Sequence, residues 1–372
     1  MKIDRIDVRI ITRRYDRVLG MHHQRWTEKH AVIVLVHAGG QCGLGEAWCD
    51  AGDPQLVANY VQTDLAPLAI GMDPHRPEAI WQRLMQSRVM GQRGGALYAA
   101  AGAIDCAIWD VSARLLGLPL RVLLGGAGDS IPVYASGGFY GDGYTPDDLA
   151  RDMHVGIELG CAGVKVKAGM QSPRIEAARL HAVRQAIGPD AWLMADFLFA
   201  PTVPHAIACA KAIAPSDIRF LEAPTAYENF PGWRHVGDAT GLPLAGPEMV
   251  AGLHMYRDAI LTAGVHFLQF DLALCGGITE ARRIAGLAAA FGLPISMHCS
   301  GSAVSLAANA QFGAAYPATD SIEYHLLHQT LFDRLWANGY AITDGKLTLP
   351  ETPGLGFALL PDDPEFAKEA NA

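Results

Sequence analysis

The sequence predicts an α/β fold in which a closed (β/α) barrel follows an N-terminal α+β capping domain. Three observations carry that reading. From Ile131 onward, short apolar strands alternate with helical stretches, a pattern that implies parallel strands joined by crossover helices. Polar residues stand at the ends of these strands at steps of 29, 26, 26, 23, 27 and 25 residues, through Lys167, Asp196, Glu222, Glu248, Asp271, His298 and Glu323. An open doubly wound sheet places its active crevice at one switch point. Polar residues at nearly every strand end point instead to a barrel whose C-terminal ends share one mouth. Finally, 372 residues accommodate a barrel of about 250 residues and a smaller domain.

Each element follows in order. Residues 5–10 alternate polar and apolar, and Val32–Val36 form a second strand that runs through Gly39-Gly40 into Gly43-Leu44-Gly45-Glu46, a hairpin with glycine turn chemistry. Leu19 to Glu28, with His22, His23, Arg25 and Trp26, reads as an exposed loop, either a lid over the barrel mouth or a plain surface loop. Leu97, Ala101, Ile104, Ile108, Val111 and Leu115 recur at helical spacing. Gly117 stops that helix and Pro119 prevents its resumption. Residues 1–127 are therefore the cap, 128–350 the barrel, and 351–372 a C-terminal tail. Barrel strands are expected at 133–135, 163–167, 192–196, 219–222, 242–245, 267–271, 295–298 and 321–324. No G-x-G-x-x-G follows a strand and opens a helix, which removes a glycine-rich phosphate loop.

Composition narrows the class further. Apolar residues are 50% and charged ones 18%, enough for a large core. A net charge of −9 without any basic run argues against a nucleic-acid partner. Seven cysteines, an odd number with no C-x-x-C, suggest reduced thiols and the cytoplasm. The N-terminus lacks the apolar stretch of a signal peptide. The apolar run Ala285–Met297 is short and broken by Pro294, whereas a membrane span needs roughly 20 residues. A soluble protein with no membrane partner is expected, and a homo-oligomer is the expected assembly.

The strand-end residues carry the chemistry. Asp196, Glu222 and Glu248 each end an apolar strand. Any one alone reads equally well as a helix cap or an arginine partner. Three on one mouth would repel one another unless a cation joined them, and all-oxygen ligands favour Mg²⁺, or Mn²⁺, over zinc. Lys165 and Lys167 share one face of their strand. A K-x-K pair alone is better explained by ion pairing to the carboxylates. Beside a second cation and a bound metal, though, Lys167 is expected to have a lowered pKa that suits a general base. His298 and Asp271 end neighbouring strands, where the carboxylate would fix the imidazole tautomer. Glu323 would hold a substrate carboxylate if protonated, or pair with a lysine.

These residues resemble the enolase superfamily, and within it the mandelate racemase-like group. The resemblance runs over almost the whole chain: Gly43-Leu44-Gly45-Glu46-Ala47, residues 103–110, Leu116-Gly117-Leu118-Pro119, Leu123-Leu124-Gly125-Gly126, Lys165-Val166-Lys167, the three carboxylates, Asp271 to Glu280, and His298. It implies an enolase-like, modified TIM barrel with loops of the cap closing over it and the C-terminal tail returning to the cap. It also implies Mg²⁺ on Asp196, Glu222 and Glu248, with Lys167 and the Asp271–His298 dyad as bases on opposite faces of a small-molecule carboxylate. Lys165 would neutralise that carboxylate and Glu323 would hydrogen-bond it. A Lys or His base with a metal-stabilised enediolate is the superfamily's pattern.

Three departures stand out. Leu198 replaces the Asn or His often found two residues after the first ligand, Ala223 replaces a second Glu, and Pro247 replaces Gly. Asp271 stands where the muconate-cycloisomerase-like group has Lys, which argues against a cycloisomerase. The expected reaction is α-proton abstraction followed by dehydration of a sugar acid to a 2-keto-3-deoxy acid. Racemisation or epimerisation of a 2-hydroxy acid is the alternative. A non-catalytic carboxylate-binding barrel would be expected to lack a ligand, and none is missing.

Overall fold

The computed structural model describes residues 1–20, 25–49, 53–86, 94–126 and 128–357. A three-stranded antiparallel sheet, β1 (Ile3–Gly20), β2 (Arg25–Ala38) and β3 (Gln41–Ala47), opens the chain. The helix Ala96–Leu116 lies against β3 and ends at Gly117, which adopts the left-handed conformation at φ 69°. Its burial is wider than a single stripe, from Leu97 through Ala113 with few gaps, because the sheet covers one side and the barrel the other. It is also, among the described residues, the one helix long and apolar enough to cross a membrane, and 83% of that stretch is buried inside the protein.

Eight parallel strands form the barrel: β4 (Ser130–Gly137), β5 (Gly163–Lys167), β6 (Trp192–Asp196), β7 (Leu221–Glu222), β8 (Leu244–Gly246), β9 (Phe267–Phe270), β10 (Ile295–Met297) and β11 (Thr319–His325). Their order is sequential and β11 pairs with β4, which closes the ring. Helices Pro146–Glu158, Pro173–Ile187, Val203–Ile213, Phe230–Thr240, Leu253–Asp258, Gly277–Ala290 and Ala303–Ala315 cross between them. A final hairpin, β12 (Ala341–Thr343) and β13 (Lys346–Thr348), adds to the outside of β4.

The structure departs from the sequence reading between Leu19 and Glu28. What reads as a loop is the end of a long two-stranded arm, in register to Arg14↔Glu28 and again at Gly20↔Arg25. Thr12 to Arg17 is nearly all polar, and an arm whose inward face is only half-buried has too little core contact to impose apolar alternation. Trp26 packs edge-on against Phe139, with ring centroids 5.7 Å apart. His22 and His23 lie outside the described residues.

Buried carboxylates of the cap fasten it to the barrel. Asp105 accepts from Thr279 N at 2.8 Å and Thr279 Oγ1 at 2.6 Å, at the start of the helix Gly277–Ala290. Glu46 accepts from Ser302 N at 2.9 Å, Ser302 Oγ at 2.6 Å and Ser305 N at 3.0 Å, at the start of the helix Ala303–Ala315. Asp110 joins Leu44 N at 2.8 Å to Leu355 N at 2.7 Å, so residues 350–357 lie back on the cap helix. The expected tail beyond 357 falls outside the described residues.

Two measurements check this junction. A Cβ on Gly45 would meet the Ala103 carbonyl oxygen at 1.9 Å, so Gly45→Ala should destabilise the protein by roughly 1–3 kcal/mol or more. A melting temperature equal to wild type would refute that close approach. Burial pushes the Asp105 carboxyl up to about 7 from 3.8. A group raised in the folded chain contributes stability that is complete below its unfolded pKa and lost as pH rises through the folded one. The stability advantage of wild type over Asp105→Asn should therefore shrink between pH about 4 and about 7 in urea titrations. Parallel pH curves for the two proteins would contradict it.

Candidate active site

Side chains alternate across a strand, so every second residue of β4–β11 points into the lumen. The lowest layer is apolar: Tyr134, Met194, Phe220 and Ala245 form a cluster of their own. Two residues further along the same strands, Met194 gives way to Asp196 and Phe220 to Glu222. Lys167, Asp196 and Glu222 stand side by side in register on β5, β6 and β7. That placement brings charged side chains into one fully buried layer.

Lys165 is the centre of that layer and is 0% exposed. Its Nζ lies 2.7 Å from Glu222 Oε1, 3.1 Å from Glu323 Oε1 and 3.8 Å from Asp196 Oδ2. Burial disfavours its charge, yet Glu222 and Glu323 hold its pKa well above the lysine range. Lys167 bonds Asp196. Burial works against its charge too, and Asp196 more than offsets this, so its pKa is raised. The lowering expected of Lys167 presupposes a bound metal; in this structure Asp196 is its counterion.

The carboxylates divide by partner. Asp196 is held below the usual carboxylate range despite burial, through Lys167 and Lys165. Glu323 is likewise held low against burial by Lys165 and His298. It is therefore ionised and paired with a lysine, the second of its two expected states. Glu222 is pushed up to about 8, chiefly by burial, although Lys165 and Gln269 Nε2, at 2.8 Å, both bond it. Glu248 is 1% exposed, neither of its oxygens has a hydrogen-bond partner among the described residues, and burial and Asp196 raise its pKa.

His298 Nδ1 lies 2.9 Å from Asp271 Oδ2, and its Nε2 lies 3.7 Å from Glu323 Oε2. Burial disfavours its cation, but Glu323 and Asp271 outweigh that and raise its pKa. A cavity of about 130 Å³ opens above, lined by Lys167, Glu248, His298 and Glu323. Asp196, Glu222, Asp271 and Lys165 sit behind its surface, and Lys165 as placed does not border it. Leu198 and Phe199 wall one side, and Tyr15, Trp26 and Lys29 reach it from the cap.

The donor set fits a hard divalent cation. Asp196, Glu222 and Glu248 offer only oxygens, and the two orphaned Glu248 oxygens are buried acceptors with a satisfaction debt. Among the described residues the His, Cys, Asp and Glu side chains do not already converge in threes on one point. Glu222 and Asp196 are turned onto Lys165 and Lys167 instead.

Several contributors escape the sequence reading. Gln269 lies two residues before Asp271 on the same strand face, so alternation alone would find it. Asn309, buried within the otherwise apolar helix Ala303–Ala315, donates to Asp271 Oδ1 at 2.9 Å. A lone amide in an apolar helical run is the signal for it. Lys29 and Glu46 carry no local signal, since only the docking of the cap brings them here.

Comparison with known proteins accords with this geometry. Residues 5–125 match the family described as the mandelate racemase / muconate lactonizing enzyme N-terminal domain, and residues 148–363 match the enolase C-terminal domain-like family. D-galactarolactone cycloisomerase of Agrobacterium fabrum is 32% identical over 96% of this chain and 97% of its own. Arabinonate dehydratase of Saccharolobus solfataricus is 27% identical, over 86% of this chain and 85% of its own. A racemase from Streptomyces coelicolor A3(2), solved with bound magnesium, superposes with a TM-score of 0.87 at 26% identity, covering 96% of this chain and 97% of that one. A cycloisomerase stands beside a dehydratase among these relatives, so cycloisomerisation is not set aside on the strength of Asp271. With matches over both halves of its length, this chain belongs to the mandelate racemase-like group of the enolase superfamily.

Proposed function

We propose that this protein is a Mg²⁺-dependent dehydratase of sugar acids, forming a 2-keto-3-deoxy acid. One observation carries the reading. Lys167 and His298, the latter backed by Asp271, border the same cavity as the orphaned Glu248, so two proton-transfer groups and a cation-seeking carboxylate face one volume. Asp196, Glu222 and Glu248 would hold the metal. Bound there, it would supply positive charge where an α-carboxylate gains a second negative charge on deprotonation.

The rest falls to the protein's own side chains. Lys167 at the end of β5 and His298 directly after β10 are separated by β4 and β11 around the ring, which puts them on different walls of the cavity. One takes the α-proton. Dehydration also needs an acid for the departing hydroxyl, and Leu198 offers none. His298 serves, because Glu323 and Asp271, against burial, favour its protonated form. Trp26 and Tyr15 from the arm line the cavity, which supports the lid reading of that segment. His325 adds a polar wall: its Nδ1 accepts from Leu327 N at 3.3 Å, which leaves the ring proton on Nε2 for an oxygen-bearing substrate. Seven free cysteines support a reducing compartment, the cytoplasm.

A second reading is cycloisomerisation of a sugar lactone, favoured by the 32%-identical relative. The same deprotonation then expels a ring oxygen instead of hydroxide. Racemisation would need only the two bases. Incubating sugar acids and their lactones in deuterated water and following them by NMR separates the three: keto acid from an acid, keto acid from a lactone only, or exchange without either.

Two outcomes are expected of the purified enzyme. Mg²⁺ should raise the melting temperature and EDTA should abolish activity, whereas Glu248→Gln should lose both activity and the Mg²⁺-induced rise. An undiminished rise in Glu248→Gln would remove Glu248 from the metal site. His298→Asn should stop keto-acid formation yet retain α-proton exchange through Lys167, and Lys167→Ala should retain exchange only of protons presented to His298. Full turnover in both variants would overturn the assignment.

A further inference from the structure

Behind His298 the hydrogen bonding does not end at Asp271. Asp271 Oδ2 meets the imidazole, while Oδ1 accepts from Asn309 Nδ2 and from Ala273 N, each at 2.9 Å. Asn309 is 0% exposed, and its amide is fully committed. Its Oδ1 accepts from Leu272 N at 3.1 Å and its Nδ2 also donates to Ser305 O at 3.0 Å. A backbone N–H can only donate, so the oxygen must face Leu272 and the nitrogen must face Asp271. The orientation of the amide is thereby determined.

The helix that carries Asn309 is itself fixed at its first turn. Glu46 of the cap accepts from Ser302 N and Ser305 N, and Lys29 Nζ donates to Ser300 O at 2.8 Å. Cap, helix, amide, carboxylate and imidazole thus form one continuous chain of buried contacts.

We propose that Asn309 is a positioning residue for His298, which holds Asp271 in the rotamer that meets imidazole Nδ1 and so keeps Nε2 directed at the cavity. This rests on the reading of His298 as a proton-transfer group. With Oδ1 occupied by two donors, Asp271 has only Oδ2 left for the ring. Without the amide, the carboxylate turns towards other donors and the imidazole loses its single tautomer. Supporting groups of this kind, one step removed from the reacting atoms, are worth about 10–100-fold where they have been measured around metal ligands.

The test compares wild type with Asn309→Leu, and with Asn309→Ala should the larger apolar side chain prevent folding. Without substrate, and at a pH alkaline enough to leave the ring neutral, ¹⁵N spectra of the imidazoles should show His298 protonated on Nδ1 in wild type and as a tautomer mixture in the variant. With substrate in deuterated water, exchange through His298 should fall about 10–100-fold while exchange through Lys167 stays within about twofold. Unchanged imidazole signals in the variant overturn the proposal, as does an equal fall on both faces, which marks a general structural loss. If wild type exchanges no sugar acid at all, the dehydratase reading fails, and the imidazole spectra still decide the role of Asn309.

Discussion

Lys165 is the constraint around which the barrel mouth is organised. It is a cation with no solvent contact, ion-paired with Glu222 and Glu323 and 3.8 Å from Asp196. Removing one partner of such a buried set typically costs about 3–5 kcal/mol, because the others are left uncompensated. The layer carries Lys165 and Lys167 against Asp196, Glu222, Glu248 and Glu323, with His298 set against Asp271. Like charges about 4 Å apart repel by roughly 4 kcal/mol at an effective dielectric constant of 20. That excess of acid adds to burial: burial first, with Asp196, Glu248 and Glu323 nearby, pushes Glu222 up to about 8, and Glu248 has no hydrogen-bond partner among the described residues. A divalent cation would relieve this imbalance, and the proposed α-proton abstraction would use the same positive field for a developing dianion.

The cap depends on the same principle in a different form. Asp105 and Glu46 place buried carboxylates at the first turns of two barrel helices, where unpaired backbone N–H groups and the positive end of the helix dipole favour negative charge. These helices follow Asp271 and His298 in the chain. Glu46 also neighbours Lys29, whose pKa burial lowers to about 8. Docking of the cap is therefore more than a cover. It sets the position of the loop that carries the base, and it delivers Tyr15 and Trp26 to the cavity in the same movement.

Much of this was legible in the sequence, and what was not has physical reasons. The barrel shows because strand ends recur at a near-constant step and each inward residue repeats two positions on. Asp196, Glu222, Asp271 and His298 sit where that alternation puts them. The cap helix was legible from its period, but not its burial on two sides, which depends on Gly43 and Gly45 admitting β3 against it. The arm was not legible, since strands with only a half-buried face have little apolar pattern to display. Neither the raised pKa of Lys167 nor the ionised state of Glu323 follows from residue type. Both depend on which carboxylate each lysine meets across the lumen, a matter of tertiary distance.

Choosing among the reactions comes down to what leaves the β-carbon and what protonates it. All three readings share the first step, so Lys167, His298 and the carboxylates cannot discriminate between them. Discrimination needs a group near the leaving oxygen. Leu198, at φ 32° two residues beyond the end of β6, presents only hydrocarbon where an amide would have supplied a hydrogen bond or an imidazole a proton. A racemase tolerates that loss without cost, since nothing leaves. An enzyme that expels a poorly activated hydroxide does not, unless His298 supplies the proton. Expulsion of a ring oxygen needs the same proton but begins from a substrate held rigid by its ring, which lowers the ordering cost of aligning the breaking bond. The apolar wall of Leu198 and Phe199 beside a wall of histidines suits a compact ring with one hydrocarbon-rich face as well as it suits an open chain. The protonation state of one imidazole, set by Asp271 and Glu323, is thus the point on which elimination and mere exchange part.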